Sequence, residues 1–148
     1  MPDKLKEKAV RLLAMREHSR AELARKLSGL GSEEKIDATL DRMAELDLQS
    51  DLRFARMWVR SKAERFGTAR LRHDLAQRGV PGDCIDQALS EECEENELDR
   101  ARAVWQQKFG TPARDHREWA KQARFLQSRG FPTGVISKLL KENPDESA

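Results

Sequence analysis

Apolar residues return along this chain at spacings of three and four. Leu5, Ala9, Leu12 and Leu13 form a first stripe, Leu23 and Leu27 a second, and Ile36, Leu40 and Met43 a third. That period is the mark of helices that turn one face to a core. Start and stop signals divide the chain at regular intervals. Ser19 with Glu22 three residues on is a capping box, Ser32 precedes Glu33 and Glu34, and Thr68 and Asp115 are further N-cap candidates. Gly31, Gly67, Gly79, Gly110 and Gly130 stand where helices should end. The pattern predicts about nine helices, with one running from Ser50 to Arg65.

The pattern also repeats. Leu75, Gly79, Val80, Pro81, Ile85 and Leu89 match Leu126, Gly130, Phe131, Pro132, Ile136 and Leu140 at a constant offset of 51, with Arg78 and Arg129 each preceding the glycine. A looser copy sets Leu23, Leu27, Gly31, Ile36 and Leu40 against Leu71, Leu75, Gly79, Ile85 and Leu89. Self-similarity at this period signals an array of supersecondary units. The expected fold class is therefore all-α, three tandem three-helix repeats in an elongated, curved array. The expected divisions are 1–49, 50–94 and 95–141, followed by an acidic tail at 142–148.

Composition supports helices: Tyr is absent and Gly totals only 8 and Pro 5 in 148 residues. The net charge of +2 hides a sorted distribution. Residues 1–49 balance ten cations with ten anions, 50–80 carry net +5, 81–100 net −7, and 101–141 net +7. Blocks this distinct raise a strong local potential at each patch, so partners are expected patch by patch. The charged N-terminus offers no leader-like apolar run and the longest apolar runs, such as Leu12–Met15, are far short of a membrane span, so a cytoplasmic protein is expected. Cys84 and Cys93 then read as packing or surface thiols.

Chemistry is sparse. His18, His73 and His116 are scattered one per repeat without metal-ligand neighbours, and read as surface or helix-end residues. The acidic run Glu91, Glu92, Glu94, Glu95, Glu97 and Asp99 lacks the glycine-supported loop of a hard-cation site and reads as a solvated helix junction. No phosphate loop, nucleophile elbow or zinc-binding helix is present, so no catalytic residue, metal or cofactor is expected.

The basic stretch carries more. Arg53, Arg56 and Arg60 share one face of the 50–65 helix, with Leu52, Ala55, Val59 and Phe66 on another. Lys62, Arg65, Arg70, Arg72 and Arg78 extend the positive zone, mostly as Arg, whose planar fork suits carboxylate or phosphate. These eight are the candidate partner- or DNA-binding residues. The helix-spaced aromatics Phe54, Trp58, Trp105 and Phe109, with Trp119 and Phe125, read as core rather than base-stacking platforms. A helix-turn-helix reader is disfavoured, because the helices after the first two glycine turns carry Glu33, Glu34, Asp37 and Asp41, then Asp83, Asp86, Glu91 and Glu92, which phosphate repels. Any DNA contact is expected to be electrostatic and weakly sequence-selective.

These residues resemble a known family. Leu13, Arg16, His18, Ser19, Glu22, Leu23, Lys26 and Leu27 are similar to the R-x-H-S-x-x-E-L-x-x-K-L phrase of the RecX family. Asp51 to Ala55, Val59, Arg60, Gly67, Arg70 to Arg72, Leu75 and Arg78 to Val80 resemble its D-x-R-F-A…G-x-x-R-L-R-x-x-L-x-x-[KR]-G-[IV] signature. Arg124 to Leu126 and Arg129 to Phe131 echo it in the last third. Ser50 stands where an acidic residue is common in the family, and Gln49 replaces a more usual turn residue. The resemblance implies tandem three-helix units that bind the recombinase RecA and lodge in the groove of its filament on DNA. It further implies restraint of ATP hydrolysis and strand exchange, and so modulation of recombination, DNA repair and the SOS response. From charge and position, the middle and third repeats are expected to lie across adjacent RecA protomers, and a monomer is the default expectation. The alternative is a general electrostatic DNA-binding helical protein independent of RecA.

Overall fold

A computed structural model describes residues 3–93 and 97–141. Among them are nine helices and no strand: α1 (Lys4–Met15), α2 (Arg20–Leu27), α3 (Glu33–Glu45), α4 (Asp51–Lys62), α5 (Thr68–Gln77), α6 (Gly82–Glu92), α7 (Glu97–Lys108), α8 (His116–Ser128) and α9 (Thr133–Lys141). The predicted acidic tail at 142–148, and Glu94 and Glu95 of the acidic run, lie outside the described residues.

The chain forms two compact units. The first takes its described residues from Met1–Trp58 and Leu75–Ala88, the second from Val59–Asp74 and Leu89–Ala148. Helices α4, α5 and α6 thus each contribute to both. In the first unit, Leu5, Ala9, Leu23, Leu27, Ile36, Leu40 and Met43 form one core. In the second, Leu98, Ala101, Val104, Trp105, Leu126, Phe131, Ile136, Leu139 and Leu140 form another. The first core takes the three named stripes except Leu12 and Leu13, which pack half-buried against it, and the second includes Leu126, Phe131, Ile136 and Leu140 of the repeated phrase. Each fully buried Leu contributes roughly 2 kcal/mol of hydrophobic stabilisation.

Most cap assignments hold. Ser19 and Glu22 make the reciprocal capping box, Ser32 accepts from the Lys35 amide, and Asp115 from the Glu118 amide. Two expectations change. Helix α2 ends at Leu27, and the left-handed glycine after it is Gly29 (φ +87°), not Gly31. Gly31 instead lies against the Leu5 side chain. Thr68 is the first residue of α5, and its hydroxyl donates to Glu97 Oε1 at 2.9 Å instead of receiving an amide of its own helix.

A joint recurs once in each unit. In the first, the Ser19 hydroxyl donates to the Arg78 carbonyl at 2.8 Å, and Asp51 at the head of α4 accepts from the Arg20 amide at 2.8 Å. In the second, the Gly67 amide donates to the Arg129 carbonyl at 2.7 Å, and Glu97 at the head of α7 accepts from the Thr68 amide at 2.7 Å. The second helix of one repeat is thereby seated on the Arg-Gly turn of the next and capped by a carboxylate from that next repeat's first helix. This seating explains why the middle repeat is shared: its Arg78–Gly79 turn belongs with α2, while the start of α5 belongs with the α8–α9 turn.

Candidate partner-binding surface

The eight sequence-chosen cations divide according to what holds them. Arg53, in the first unit, donates through Nε to Glu17, through Nη1 to Asp47 Oδ1 at 3.2 Å and through Nη2 to the Asp47 carbonyl at 3.1 Å. The Glu17 hydrogen bond, opposed by partial burial, raises its pKa further, with Asp47 adding to the effect. Arg56 is half-buried, and Arg78 packs its guanidinium 3.9 Å from the centre of the Trp58 ring. In the second unit, Arg60 grips Glu92 with two contacts of 2.9 Å. Arg70 contacts Asp74 at 3.3 Å while its guanidinium lies 4.7 Å from the Phe66 ring centre. Lys62 is half-buried, and Arg65 and Arg72 are exposed. Arg53, Arg60 and Arg70 are therefore partly neutralised by the protein's own carboxylates.

A second set of cations is held by rings. Arg129 sits 5.3 Å from the Phe66 centroid and 5.0 Å from that of Phe125. Lys108 Nζ lies 5.4 Å from Phe125, and Arg65 5.9 Å from Phe66. The quadrupole of an aromatic face attracts a cation by about 0.5–1 kcal/mol at exposed sites. Among the described residues, Arg65, Lys108 and Arg129 are in no ion pair. All three line an open groove of about 250 Å³, together with Glu64, Val104 and Phe125. Lys108 and Arg129 were not among the sequence candidates, although the sequence held a signal. Arg129 matches Arg78 at the offset of 51, and Phe125 precedes it by four residues, the spacing at which helix neighbours meet.

The aromatics also divide. Phe54 and Trp105 are core, the latter donating from Nε1 to Gln122 at 2.9 Å, whereas Phe66, Phe109, Trp119 and Phe125 are half-buried. On α4 the fully buried side chains are Phe54, Ala55 and Val59; Leu52 is half-buried.

Other candidate chemistry resolves into structure. His73 and His116 are exposed, but His18 is 2% exposed, contrary to the surface reading. Its Nδ1 lies 3.0 Å from the Arg16 carbonyl and its Nε2 3.0 Å from Lys26 Nζ. Nδ1–H donates to the carbonyl and Nε2 accepts from the ammonium, which requires a neutral ring. Burial, with the Arg16 and Lys26 charges, holds its pKa below the usual imidazole value against the hydrogen bond to Arg16. The acidic run is only partly solvated: Glu92 holds Arg60 and Glu97 caps α5. Cys84 and Cys93 are free, half-buried thiols whose pKa values burial pushes up, leaving little thiolate. Among the described residues, no three His, Cys, Asp or Glu converge as metal ligands, and no helix is long and apolar enough to cross a membrane.

Helix triplets joined through arginine–glycine turns, with cations fixed over phenylalanine rings, place the chain among all-helical tandem-repeat proteins. Its relatives narrow that class. Sequence models of the RecX first, second and third three-helix domains match residues 6–43, 50–89 and 94–140. The protein is 45% identical over 138 residues to the regulatory protein RecX of Leptothrix cholodnii, covering 93% of this chain and 87% of that one. It is 43% identical over 143 residues to the regulatory protein RecX of Chromobacterium violaceum, covering 96% and 92%. A crystal structure of RecX from Lactobacillus salivarius shares the fold, with a TM-score of 0.81, 19% identity and 94% of each chain covered. The chain belongs to the RecX family.

Proposed function

We propose that this protein is a cytoplasmic regulator that binds RecA and its filament on DNA, and so restrains ATP hydrolysis and strand exchange. The observation that carries the reading is the match to regulatory proteins RecX along almost the whole chain, in all three domains. The sorted charge supports it, since a chain of near-zero net charge with separate basic and acidic blocks is suited to an electrostatically patterned partner. In this reading the units divided near residues 49 and 94 act as one RecA-binding array, a single copy binding as a monomer.

The basic residues of α4 and α5 then have two tasks. Arg56, Lys62, Arg65, Arg72 and Arg78 face acidic surface on RecA or DNA phosphate, and Arg70 joins them only through the part of its charge that Asp74 leaves. Arg53 and Arg60, paired with Glu17, Asp47 and Glu92, hold α4 in place for them.

The test measures single-strand-DNA-dependent ATPase and strand exchange by RecA with substoichiometric protein, beside binding to naked DNA. Suppression of both activities, reduced in an Arg65→Glu/Arg72→Glu variant that keeps its helicity, supports the reading. No suppression at excess protein and low salt sinks it, and strong salt-sensitive binding to naked DNA would then favour a RecA-independent DNA-binding protein.

A further inference from the structure

The groove of the second unit differs chemically from the carboxylate-paired part of the basic surface. Its three cations are fixed over Phe66 and Phe125 and are in no ion pair among the described residues, whereas Arg53, Arg60 and Arg70 are matched to internal carboxylates. A guanidinium attracted to a ring face at these distances spends no hydrogen-bond donor on a carboxylate of its own chain, so Arg65 and Arg129 keep donors for a carboxylate from outside. Apolar atoms of Val104 and Phe125 also line the groove, whose 250 Å³ suits one large apolar side chain rather than a run of nucleotides. Glu64 lines it too, so the acidic groups of an occupant are directed to the three cations and away from that carboxylate.

We propose that this groove is a docking site for an acidic peptide segment that inserts one apolar side chain between carboxylates directed at Arg65, Lys108 and Arg129. The apolar residue packs on Val104 and Phe125, and the flanking carboxylates pair with the ring-held cations. The inference rests on the regulatory reading only in placing that segment on the regulated protein. The groove adds side-chain selectivity to what net charge alone would attract.

The test uses the full chain and a fluorescein-labelled peptide of glutamate and aspartate around a single leucine, followed by anisotropy at low salt. Variants are Arg65→Glu/Lys108→Glu and, separately, Arg129→Gln, each checked for helicity and thermal midpoint. Wild type is expected to bind the peptide, with about tenfold weaker binding in the charge-reversed variant, since two rim charges together account for roughly that factor. Replacing the leucine by serine should weaken binding about fivefold, and excess unlabelled oligothymidylate should not displace the peptide. Absence of binding, equal binding by the charge-reversed variant, or displacement by oligothymidylate overturns the proposal, the last assigning the groove to nucleic acid. RecA ATPase run on the same preparations separates the two readings. Suppression without peptide binding removes the groove and leaves the regulator; peptide binding without suppression leaves the groove and removes RecA as the source of the segment.

Discussion

His18 illustrates how the phrase R-x-H-S-x-x-E-L-x-x-K-L works residue by residue. The Arg16 carbonyl fixes its tautomer, Lys26 donates to its other nitrogen, and the Arg16 guanidinium reaches Glu22, the partner of Ser19 in the capping box. A short sequence is thereby closed into one polar network around a buried ring. The charges facing His18 are Arg16 and Lys26, which resist its protonation, and Glu22, which favours it more weakly. Because its folded pKa lies below the ordinary 6.5, the unfolded chain binds more protons in the interval below 6.5, and folding stability falls as pH drops through it. Urea midpoints should therefore decline from pH 7.5 to 5.5, and His18→Gln should flatten that decline. Equal slopes would mean the ring is not held neutral. A further loss is expected below pH 4.5, because the Ser19 amide and the Arg16 guanidinium hold Glu22 low in spite of its burial. His18→Ala should also destabilise by about 1–3 kcal/mol, since the Lys26 ammonium loses its acceptor and a buried ring leaves a void.

At the scale of elements, the repeated R-G step shows why two glycines recur 51 residues apart. Both turns close alike, with the Val80 amide on the Leu75 carbonyl and the Phe131 amide on the Leu126 carbonyl. Gly79 (φ +77°) and Gly130 (φ +92°) take the left-handed conformation, and a Cβ would stand 2.3 Å from that of Ala21 or of Arg70. Gly130→Ala should cost about 3 kcal/mol, combining the left-handed penalty with the clash, while Gly134→Ala, in open space on α9, should stabilise by about 0.5 kcal/mol. Thermal or chemical denaturation of the pair checks the contrast, and similar losses for both would remove the joint as the cause. Glu97→Gln, which weakens the charged cap on α5, should cost about 1 kcal/mol by the same assay. Arg100 fastens the same junction, donating to the Ala63 carbonyl at 3.0 Å and to that of Phe66.

For the molecule as a whole, charge distribution matters more than net charge. The pairing of Arg53 with Glu17 and Asp47, and of Arg60 with Glu92, removes part of the positive field that a count over residues 50–80 suggests. In the second unit, Arg65, Lys108 and Arg129 lie near rings and are in no ion pair among the described residues. Reversing Arg53 would therefore lower stability by about 1 kcal/mol through its lost pairs, and a binding defect in that variant would report folding as much as contact. Under the proposed regulatory role, suppression of RecA ATPase should weaken as salt rises from about 50 to about 300 mM, because exposed cations such as Arg65 and Arg72 are screened over that range. Salt-independent suppression would argue against a charged contact surface.

By itself the sequence determined the all-helical class, about nine helices among the described residues, the three three-helix repeats and most of the caps. These follow from local rules: apolar period, capping hydroxyls and carboxylates, and glycines that permit left-handed turns. The residues it matched between repeats, Leu71, Leu75, Ile85, Leu126, Ile136 and Leu140 among them, are buried, because repeated spacing reports repeated packing. Tertiary structure alone decided the rest. Whether a cation is neutralised depends on carboxylates distant in sequence, as Glu17 is from Arg53 and Glu92 from Arg60. Burial of His18, the division of the middle repeat between two units and the approach of Arg129 to the Phe66 ring likewise depend on residues brought together only when the joints close. Periodicity along one helix fixes which side chains share a face, but the partner of that face is set by segments tens of residues away.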